Sequence, residues 1–247
     1  MTEIEQVVTA APRAWALTNG AFTTVVTAAG GGFSNYHGLA LTRHFTDPLR
    51  PADGVRLYVR DVESGEFAAL VAAADEDAFR FEPGLASALQ ELFLLEARLD
   101  VCVCPDEDVE IRRLTLHNPE PQLRRVDVTT YAELVLAAPA ADAAHPAFSK
   151  LFVQAEFLRD PGAILAWRRP RGPDDEPIWL AHLVRLEQGG AADPGLQVET
   201  DRMRFVGRAR TPDAPAALLS AGPLSGTVGN VLDPVASLRR TIELRPG

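Results

Sequence analysis

The hydrophobic and polar residues of this chain alternate with a period of two over much of its length. Between residues 95 and 103 the odd positions are apolar, and most of the even positions are charged. Between residues 126 and 136 the even positions are mostly apolar, and Asp127 and Glu133 lie among the odd ones. Because successive side chains of a strand point to opposite faces, the pattern predicts antiparallel strands with one buried face and one wetter face.

Other segments of similar composition predict further strands, separated by turns rich in Gly, Pro and Asn. In 109–116 the apolar residues change from odd to even positions, which predicts a bulge at Arg112-Arg113. Two interpretations fit residues 84–95 equally well: a helix, or a loop followed by a strand. Residues 201–206 fit a single helical turn. The additional predicted strands are 22–28, 39–43, 55–61, 151–158, 163–168, 178–186 and 236–244.

No internal repeat, low-complexity tract or long linker divides the chain. Hydrophobic residues make up 47% of the 247 residues, which is enough for a sizeable core. The fold class is therefore predicted as all-β, with two stacked antiparallel sheets in a single domain covering residues 1–247.

The charge of the chain restricts its partners. Its formal net charge is −10, which disfavours nucleic-acid binding. No uncharged apolar window of roughly 18 residues is present, and the N-terminus lacks the basic start of a secretory signal. These features predict a cytoplasmic location, with no membrane contact by this chain itself. Lys150 is the only lysine, and the excess of arginine is typical of a GC-rich genome.

Motifs of several enzyme classes are absent from the sequence. There is no Gly-x-Ser-x-Gly, no phosphate-binding Gly-x-x-x-x-Gly-Lys and no His-Glu-x-x-His. The triple glycine at 30–32 is not followed by a helical pattern, so it is not a dinucleotide fingerprint. We therefore assign no catalytic residue, no metal ligand and no cofactor.

Several conspicuous side chains are interpreted as structural. Cys102 and Cys104 lie two residues apart in a strand, where a disulfide would be strained, so free thiols are expected. The acidic runs 106–108 and 174–176 are interpreted as solvated turns. Trp15, Trp167 and Trp179 are expected to pack in the core. His117 and His182 are expected in the core or at strand edges.

Two segments are candidates for binding. The long connection 137–150 contains Asp142, His145, Phe148 and Lys150, and long loops often carry function. A second segment follows the triple glycine, where polar and aromatic groups suit the hydroxyls of a sugar. Its candidate residues are Asn35, Tyr36, His37, Arg43 and His44.

A series of short motifs, in constant order over nearly the whole chain, resembles the family-94 glycoside phosphorylases. The similarity is closest to the phosphorylase-like region of cyclic β-1,2-glucan synthases. The motifs are Asn19-Gly20, Gly30-Gly31-Gly32-Phe33-Ser34, and the segments 39–43, 106–116, 130–136, 142–148, 199–202, 205–208, 223–229 and 232–234.

The resemblance implies an N-terminal antiparallel β-supersandwich. In the family an (α/α)6 barrel follows and carries the catalytic acid and most contacts to substrate and phosphate. We expect this chain to lack that barrel and to be catalytically inactive alone. The parent enzyme uses no cofactor in this interpretation, although inorganic phosphate is a possible co-substrate. Cyclic glucan synthases also carry membrane spans, which would place this domain on the cytoplasmic side of the inner membrane.

The family also implies a role for the 137–150 connection. In homodimeric relatives the corresponding loop reaches the active site of the neighbouring subunit. Asp142, His145, Phe148 and Lys150 fall on its functional positions, with His145 replacing Asn and Lys150 replacing Arg. A lysine is a point donor and lacks the planar fork that binds phosphate in a bidentate manner.

Three hypotheses follow. In the first, the chain is a non-catalytic carbohydrate-binding or structural β-sandwich domain of a β-glucan-processing enzyme. Its partners are then a β-glucan or glucooligosaccharide, the catalytic barrel and a second subunit of a homodimer. The second is a self-sufficient aldose epimerase-like enzyme with a His and a carboxylate as acid–base pair. The third is a stand-alone carbohydrate-binding module, which requires an exposed aromatic platform.

Overall fold

A computed structural model describes residues 14–28, 30–44, 54–71, 79–170, 172, 177–187 and 195–247. The N-terminal residues considered for a secretory signal and the acidic run 174–176 lie outside these residues. The elements of the described residues are β1 (Ala14–Thr18), β2 (Phe22–Thr27), β3 (Gly32–Tyr36), β4 (Leu39–Thr42), β5 (Arg56–Asp61), β6 (Phe67–Ala69), β7 (Phe79–Glu82), β8 (Leu85–Leu92), β9 (Leu95–Val103), β10 (Glu110–His117), β11 (Arg124–Ala137), α1 (Pro139–Ala144), α2 (Pro146–Lys150), β12 (Val153–Leu158), β13 (Ala163–Arg168), β14 (Trp179–Leu183), β15 (Gln197–Asp201), α3 (Arg202–Val206), α4 (Ala216–Leu219) and β16 (Pro234–Leu244).

The strands form three antiparallel sheets. The large sheet has the order β1-β2-β3-β4-β11-β16-β15, and β5 and β6 branch from it. The branch arises at β11, because one edge of this long strand pairs with β5 in its first half and with β4 in its second half. The smaller sheets are β10-β9-β8-β7 and β12-β13-β14.

Both smaller sheets pack on the same face of the large sheet. One core cluster joins large-sheet residues such as Val59 and Val126 to Leu95 and Leu99 of the four-stranded sheet. A second cluster joins Leu134 and other large-sheet residues to the inner side of β12 and β13. The predicted antiparallel β-supersandwich is therefore confirmed, with two sheets sharing the layer opposite the large one.

The other face of the large sheet is covered by the segment that contains α3 and α4. Phe205, Val206 and Leu218 of this segment are buried against Tyr58 and Tyr131. Helix α3 starts where the Asp201 carboxylate accepts a hydrogen bond from the backbone N–H of Met203 at 2.8 Å, as an N-cap. The helical turn predicted at 201–206 is confirmed.

The predicted strands are found within a few residues of their expected bounds, and 85–92 is a strand rather than a helix. In the second candidate segment, residues 33–36 lie in β3, and His37 follows in the turn to β4. The connection 137–150 folds into α1 and α2, each with a proline in its first turn. Cys102 and Cys104 are free thiols, as expected.

The bulge predicted at Arg112-Arg113 is wrong. Strands β9 and β10 pair in continuous register from Glu110 to His117. The apolar pattern misleads because an ion pair faces inward: Arg112 Nε lies 2.5 Å from Glu110 Oε1, and Ser34 Oγ donates to Glu110 Oε2 at 2.5 Å. Ile111 accordingly points outward and is 46% exposed.

Candidate functional site

The connection between β11 and β12 is placed by an irregularity at the end of β11. The pairing with β4 shifts register between Leu134 and Ala137, and the intervening Leu136 has φ of 51° while it is almost fully buried. A positive φ is strained for leucine, so the packing around Leu136 holds this bend. The bend directs the chain into residues 138–150, which we call the α1–α2 segment.

Arg43 connects the α1–α2 segment to the large sheet. The Arg43 guanidinium donates a short hydrogen bond to the Asp142 carboxylate of α1, and both residues are buried. Arg43 Nε also lies 3.3 Å from Glu133 Oε2. Since β4 and β11 are neighbours, the sheet register itself brings Arg43 and Glu133 together.

Further ion pairs lead from Glu133 to Lys150 at the C-terminal end of the α1–α2 segment. Glu133 Oε1 lies 2.7 Å from Arg202 Nε of α3, and Arg202 Nε lies 3.9 Å from Asp233 Oδ2. Asp233 Oδ1 lies 2.6 Å from Lys150 Nζ at the end of α2. Three cations and three anions thus alternate in an ion-pair chain, Asp142–Arg43–Glu133–Arg202–Asp233–Lys150, which ties both helices to the sheet.

Glu133 is the centre of this ion-pair chain. Burial alone would raise the pKa of the Glu133 carboxyl, but the hydrogen bond and charge of Arg202 outweigh that effect and lower it. Tyr131 donates a further hydrogen bond to Glu133 at 3.0 Å, and burial together with this carboxylate raises the pKa of Tyr131. Glu133 is therefore a fixed anion at neutral pH. A general acid needs a pKa near the working pH, so this environment does not suit acid catalysis.

The α1–α2 segment presents a different set of side chains to the surface. His145 lies exposed between the two helices, and Phe148 is 57% exposed. The Phe148 ring meets Phe152 edge-on, with centroids 5.1 Å apart, and the guanidinium of Arg168 lies 5.3 Å from the Phe152 ring centre. The segment is fixed underneath by charge and displays an imidazole and a phenyl ring outward.

The second candidate binding segment, which contains Asn35, Tyr36 and His37, lies beside the α1–α2 segment but makes different contacts. Ala40 pairs with Asn35 on one side and with Ala137 on the other, so the β3–β4 hairpin adjoins the start of the α1–α2 segment. Interaction with the Asp108 carboxylate raises the pKa of Tyr36. His37 is exposed in the hairpin turn with φ of 47°.

The structure thus joins three of the predicted site residues, Asp142, Arg43 and Lys150, in one network. It adds Glu133, Arg202 and Asp233, which the sequence analysis did not select. The available signal was the odd-position charge at Glu133 within an otherwise apolar strand. Among the described residues, no group of three or more His, Cys, Asp or Glu side chains is arranged to hold a metal ion.

The tryptophans differ from the prediction that they pack in the core. Trp15 is 43% exposed and stacks on Phe81, and Trp179 is 53% exposed. Trp179 pairs with Trp167 across β13 and β14, and their ring centroids lie 5.1 Å apart in a stacked arrangement. The core prediction is wrong for Trp15, which lies on the edge strand β1 of the large sheet, and for Trp179, which lies on the outer side of the three-stranded sheet.

His182 is the internal histidine of the sandwich, as the sequence suggested for strand histidines. Its Nε2 lies 2.7 Å from Thr130 Oγ1 of the large sheet. Burial lowers the pKa of His182 to about 4, with the positive charge of Arg112 adding to the effect and Glu110 opposing it. The ring is therefore neutral at physiological pH. His117 lies exposed at the end of β10.

Comparison with known proteins agrees with the architecture. The family model described as "Glycosyl hydrolase 94, supersandwich domain" matches residues 1–247. The cyclic beta-(1,2)-glucan synthase NdvB of Rhizobium meliloti (strain 1021) is 35% identical over 236 residues, which is 94% of this chain. The match covers 8% of the length of that relative. Within the described residues, no helix has both the length and the apolar character needed to cross a membrane.

Proposed function

Because the chain belongs to the glycosyl hydrolase 94 supersandwich domain family, we propose that it serves as a non-catalytic domain of an enzyme that processes β-1,2-glucan. In this proposal the domain supports a catalytic barrel and a homodimer. Its α1–α2 segment contributes His145 and Phe148 to the surface that meets the sugar or the neighbouring subunit.

The observation that carries the proposal is the ion-pair chain beneath the α1–α2 segment. Asp142 and Lys150, the charged residues of the segment, both pair with groups of the sheet or its cover. A surface that must fit a partner gains affinity when it is held in one conformation beforehand. Lys150 then acts as a positioning residue, and His145 and Phe148 make the outward contacts.

Exposed apolar side chains around the segment support an interface. Phe148, Leu151 and Leu232 are 57%, 43% and 79% exposed, and Leu232 is the neighbour of Asp233 in the ion-pair chain. Exposed apolar side chains that gather in one region mark contacts with another part of a protein. We expect the purified chain to self-associate in analytical ultracentrifugation. A monomer at every concentration would count against the dimer part of the proposal.

A chimeric enzyme tests the proposed function. The matching segment of the R. meliloti synthase is replaced by this chain, and the production of cyclic β-1,2-glucan is measured. We expect a working chimera, and Phe148→Ala in the chimera should lower the yield by about an order of magnitude, as for a central interface residue. Leu89→Ala, on an exposed leucine of β8, is the matched control and should leave the yield unchanged.

Two results would contradict the proposal. One is a chimera that is expressed and folded but makes no glucan, and the other is a Phe148→Ala chimera as active as its parent. The chain by itself should not turn over β-1,2-glucooligosaccharides. Turnover by the purified chain, absent from a mock preparation, would instead support an autonomous enzyme.

The stacked pair of the exposed Trp179 and the half-buried Trp167 favours a second candidate, direct glucan binding by the outer side of the three-stranded sheet. The ring face of a tryptophan covers the apolar C–H face of a sugar. Gln154 pairs with Trp167 across the strands and donates to Asn230 at 2.6 Å, which places amide groups beside the rings. Calorimetric titration with β-1,2-glucooligosaccharides should give heat that Trp179→Ala abolishes. Equal heat from Trp15→Ala and wild type would locate the binding at Trp179.

A further inference from the structure

A cleft of about 240 Å³ opens on the charged face of the large sheet, beside the α3–α4 cover. Four adjacent strands supply its polar walls, with Arg60 from β5, Asp127 from β11, Arg239 from β16 and Gln197 from β15. Arg60 pairs with Asp127 in the sheet register, and Arg239 pairs with Gln197. Side chains that share a face at neighbouring register positions converge, so the sheet itself builds this cleft.

Arg239 is held rigidly in the wall of the cleft. It is 2% exposed, and its guanidinium donates to Thr129 Oγ1 at 3.1 Å, to the Gly222 carbonyl at 3.2 Å and to the Ala217 carbonyl at 2.7 Å. All three acceptors are neutral, and among the described residues no carboxylate lies within ion-pair distance of Arg239. A guanidinium has five N–H donors, so two remain for a ligand.

Arg60 is the second guanidinium of the cleft. It is 6% exposed, and its closest carboxylate oxygen, Asp127 Oδ2, lies 3.6 Å from Nη1, which is too far for a good hydrogen bond. The buried Arg60 Nε has no hydrogen-bond partner within the described part of the chain. The other oxygen of Asp127 accepts a hydrogen bond from Thr241 at 2.6 Å.

Positive charge is in excess in the cleft. Arg60, Arg125 and Arg239 contribute three positive charges against the single negative charge of Asp127, in a chain whose net charge is −10. Burial and the neighbouring charge of Arg60 lower the pKa of Arg239, although Asp127 opposes them. Buried charge without a partner is costly, and a bound anion would offset that cost.

We propose that this cleft binds a small dianionic oxyanion, either inorganic phosphate or the phosphate group of an ester, between Arg60 and Arg239. Planar guanidinium groups match the geometry of phosphate oxygens and form charge-assisted hydrogen bonds with them. Arg125 stands at the rim, where it is half exposed and lies 4.0 Å from Glu243. It attracts the anion without being part of the core of the domain.

Isothermal titration of the 247-residue chain with inorganic phosphate, at constant ionic strength, tests the proposal. Phosphate should bind and raise the melting temperature, whereas chloride should not, and acetate should bind at least about tenfold more weakly because it carries one charge. Methyl phosphate distinguishes the two sources: binding as tight as phosphate indicates an ester, and loss of binding indicates the inorganic ion.

Variants locate the site. Arg60→Gln should weaken phosphate binding by about tenfold or more, since it removes a charge-assisted contact. Arg125→Glu lies at the exposed rim and leaves the fold intact, so its expected loss of about fivefold tests the site even when Arg60→Gln is unstable. Arg113→Gln, an exposed arginine of β10, is the control and should have no effect. Absence of phosphate binding, equal affinity for acetate, or binding unchanged in Arg125→Glu would overturn the proposal.

Discussion

The two faces of the large sheet are both covered, but their chemistry differs. On the sandwich face, Val126 and Leu134 of β11 pack against the smaller sheets with other apolar side chains. On the opposite face, Asp127 and Glu133 of the same strand lie among arginines beneath the α3–α4 cover. One strand thus contributes alternate side chains to an apolar core and to a layer of paired charges.

The two faces therefore have different roles, one in the stability of the domain and the other in the position of the α1–α2 segment. Apolar burial stabilises a fold roughly in proportion to area and without direction. Buried ion pairs contribute little net stability, because desolvation opposes the Coulomb attraction, but they are costly to break and demand defined geometry. We infer that the sandwich face holds the domain together, whereas the charged face fixes where the α1–α2 segment lies.

The largest expected effect is on the sandwich face. Leu134 is 1% exposed, so Leu134→Ala should lower the free energy of unfolding by about 3 kcal/mol through lost transfer energy and a cavity. Chemical denaturation measures this loss. Leu89→Ala removes the same atoms from a leucine that is 69% exposed, and its change should stay within about 0.5 kcal/mol. Similar losses for both variants would contradict the assignment of the core.

The next effect concerns Glu133 on the charged face. Glu133→Gln keeps the shape but leaves Arg43 and Arg202 without their shared carboxylate, and we expect a loss of about 2 kcal/mol at pH 7. Because folding lowers the pKa of Glu133, its stabilisation is present above its usual value of 4.5 and is lost as the pH falls through the folded-state value. The variant should therefore lose less stability on acidification than wild type.

Glu187→Gln is the control for this variant. Glu187 pairs with Arg113 at 2.8 Å, but both side chains are more than half exposed. Exposed pairs contribute little, so unfolding should be unchanged within about 0.5 kcal/mol. If both Gln variants lost equal stability, the buried ion-pair chain would contribute no more to stability than an exposed ion pair.

The free energy of unfolding should depend on pH because of His182, which lies in the interior between the sheets. Folding lowers the pKa of His182 from 6.5 to about 4, so the unfolded chain binds a proton that the folded chain refuses between these values. Stability should fall by about 2 kcal/mol from pH 7 to pH 5 on this account, with the slope set by proton linkage. His182→Gln should flatten that part of the curve. An unchanged slope would show that His182 is not the group responsible.

The smallest effect is at the Lys150–Asp233 pair. The two side chains are 17% and 28% exposed, so solvent weakens their attraction. A double-mutant cycle with Lys150→Met and Asp233→Asn should give a coupling of about 0.5 to 1 kcal/mol. A coupling of zero would remove Lys150 from the ion-pair chain and leave Arg43 as the main link to the segment.

The periodicity predicted most strands and the apolar members of the sandwich face. It also predicted a wetter second face at the odd positions of β11, and this was wrong because residues from α3 onward cover it. The pairing of Glu133 with Arg202 joins residues far apart in sequence, and local patterns carry no such information. The pattern of β10 misled for a different reason, because the charged side chains of Glu110 and Arg112 occupy inward positions where apolar residues were expected.

The candidate segment was located from its length and its polar residues, and the family resemblance pointed to the same positions, but its internal structure was not predicted. The alanines of 137–150 and the prolines at the start of each helix are a helical signal that was available in the sequence. The roles of its charged residues depended on Asp233, Arg43 and Glu133, which come from three other parts of the chain. From sequence alone Lys150 is therefore expected to contact a ligand, whereas in the structure it pairs with Asp233.

Hydrogen exchange of the α1–α2 segment tests the central claim most directly, namely that the charged face fixes this segment. The backbone amides of Asp142 and Ser149, both bonded within the segment, are the reporters. In Glu133→Gln their protection should fall by about tenfold or more, while that of β8 and β9 stays as in wild type once global stability is allowed for. Equal protection of the segment in both proteins would contradict the claim.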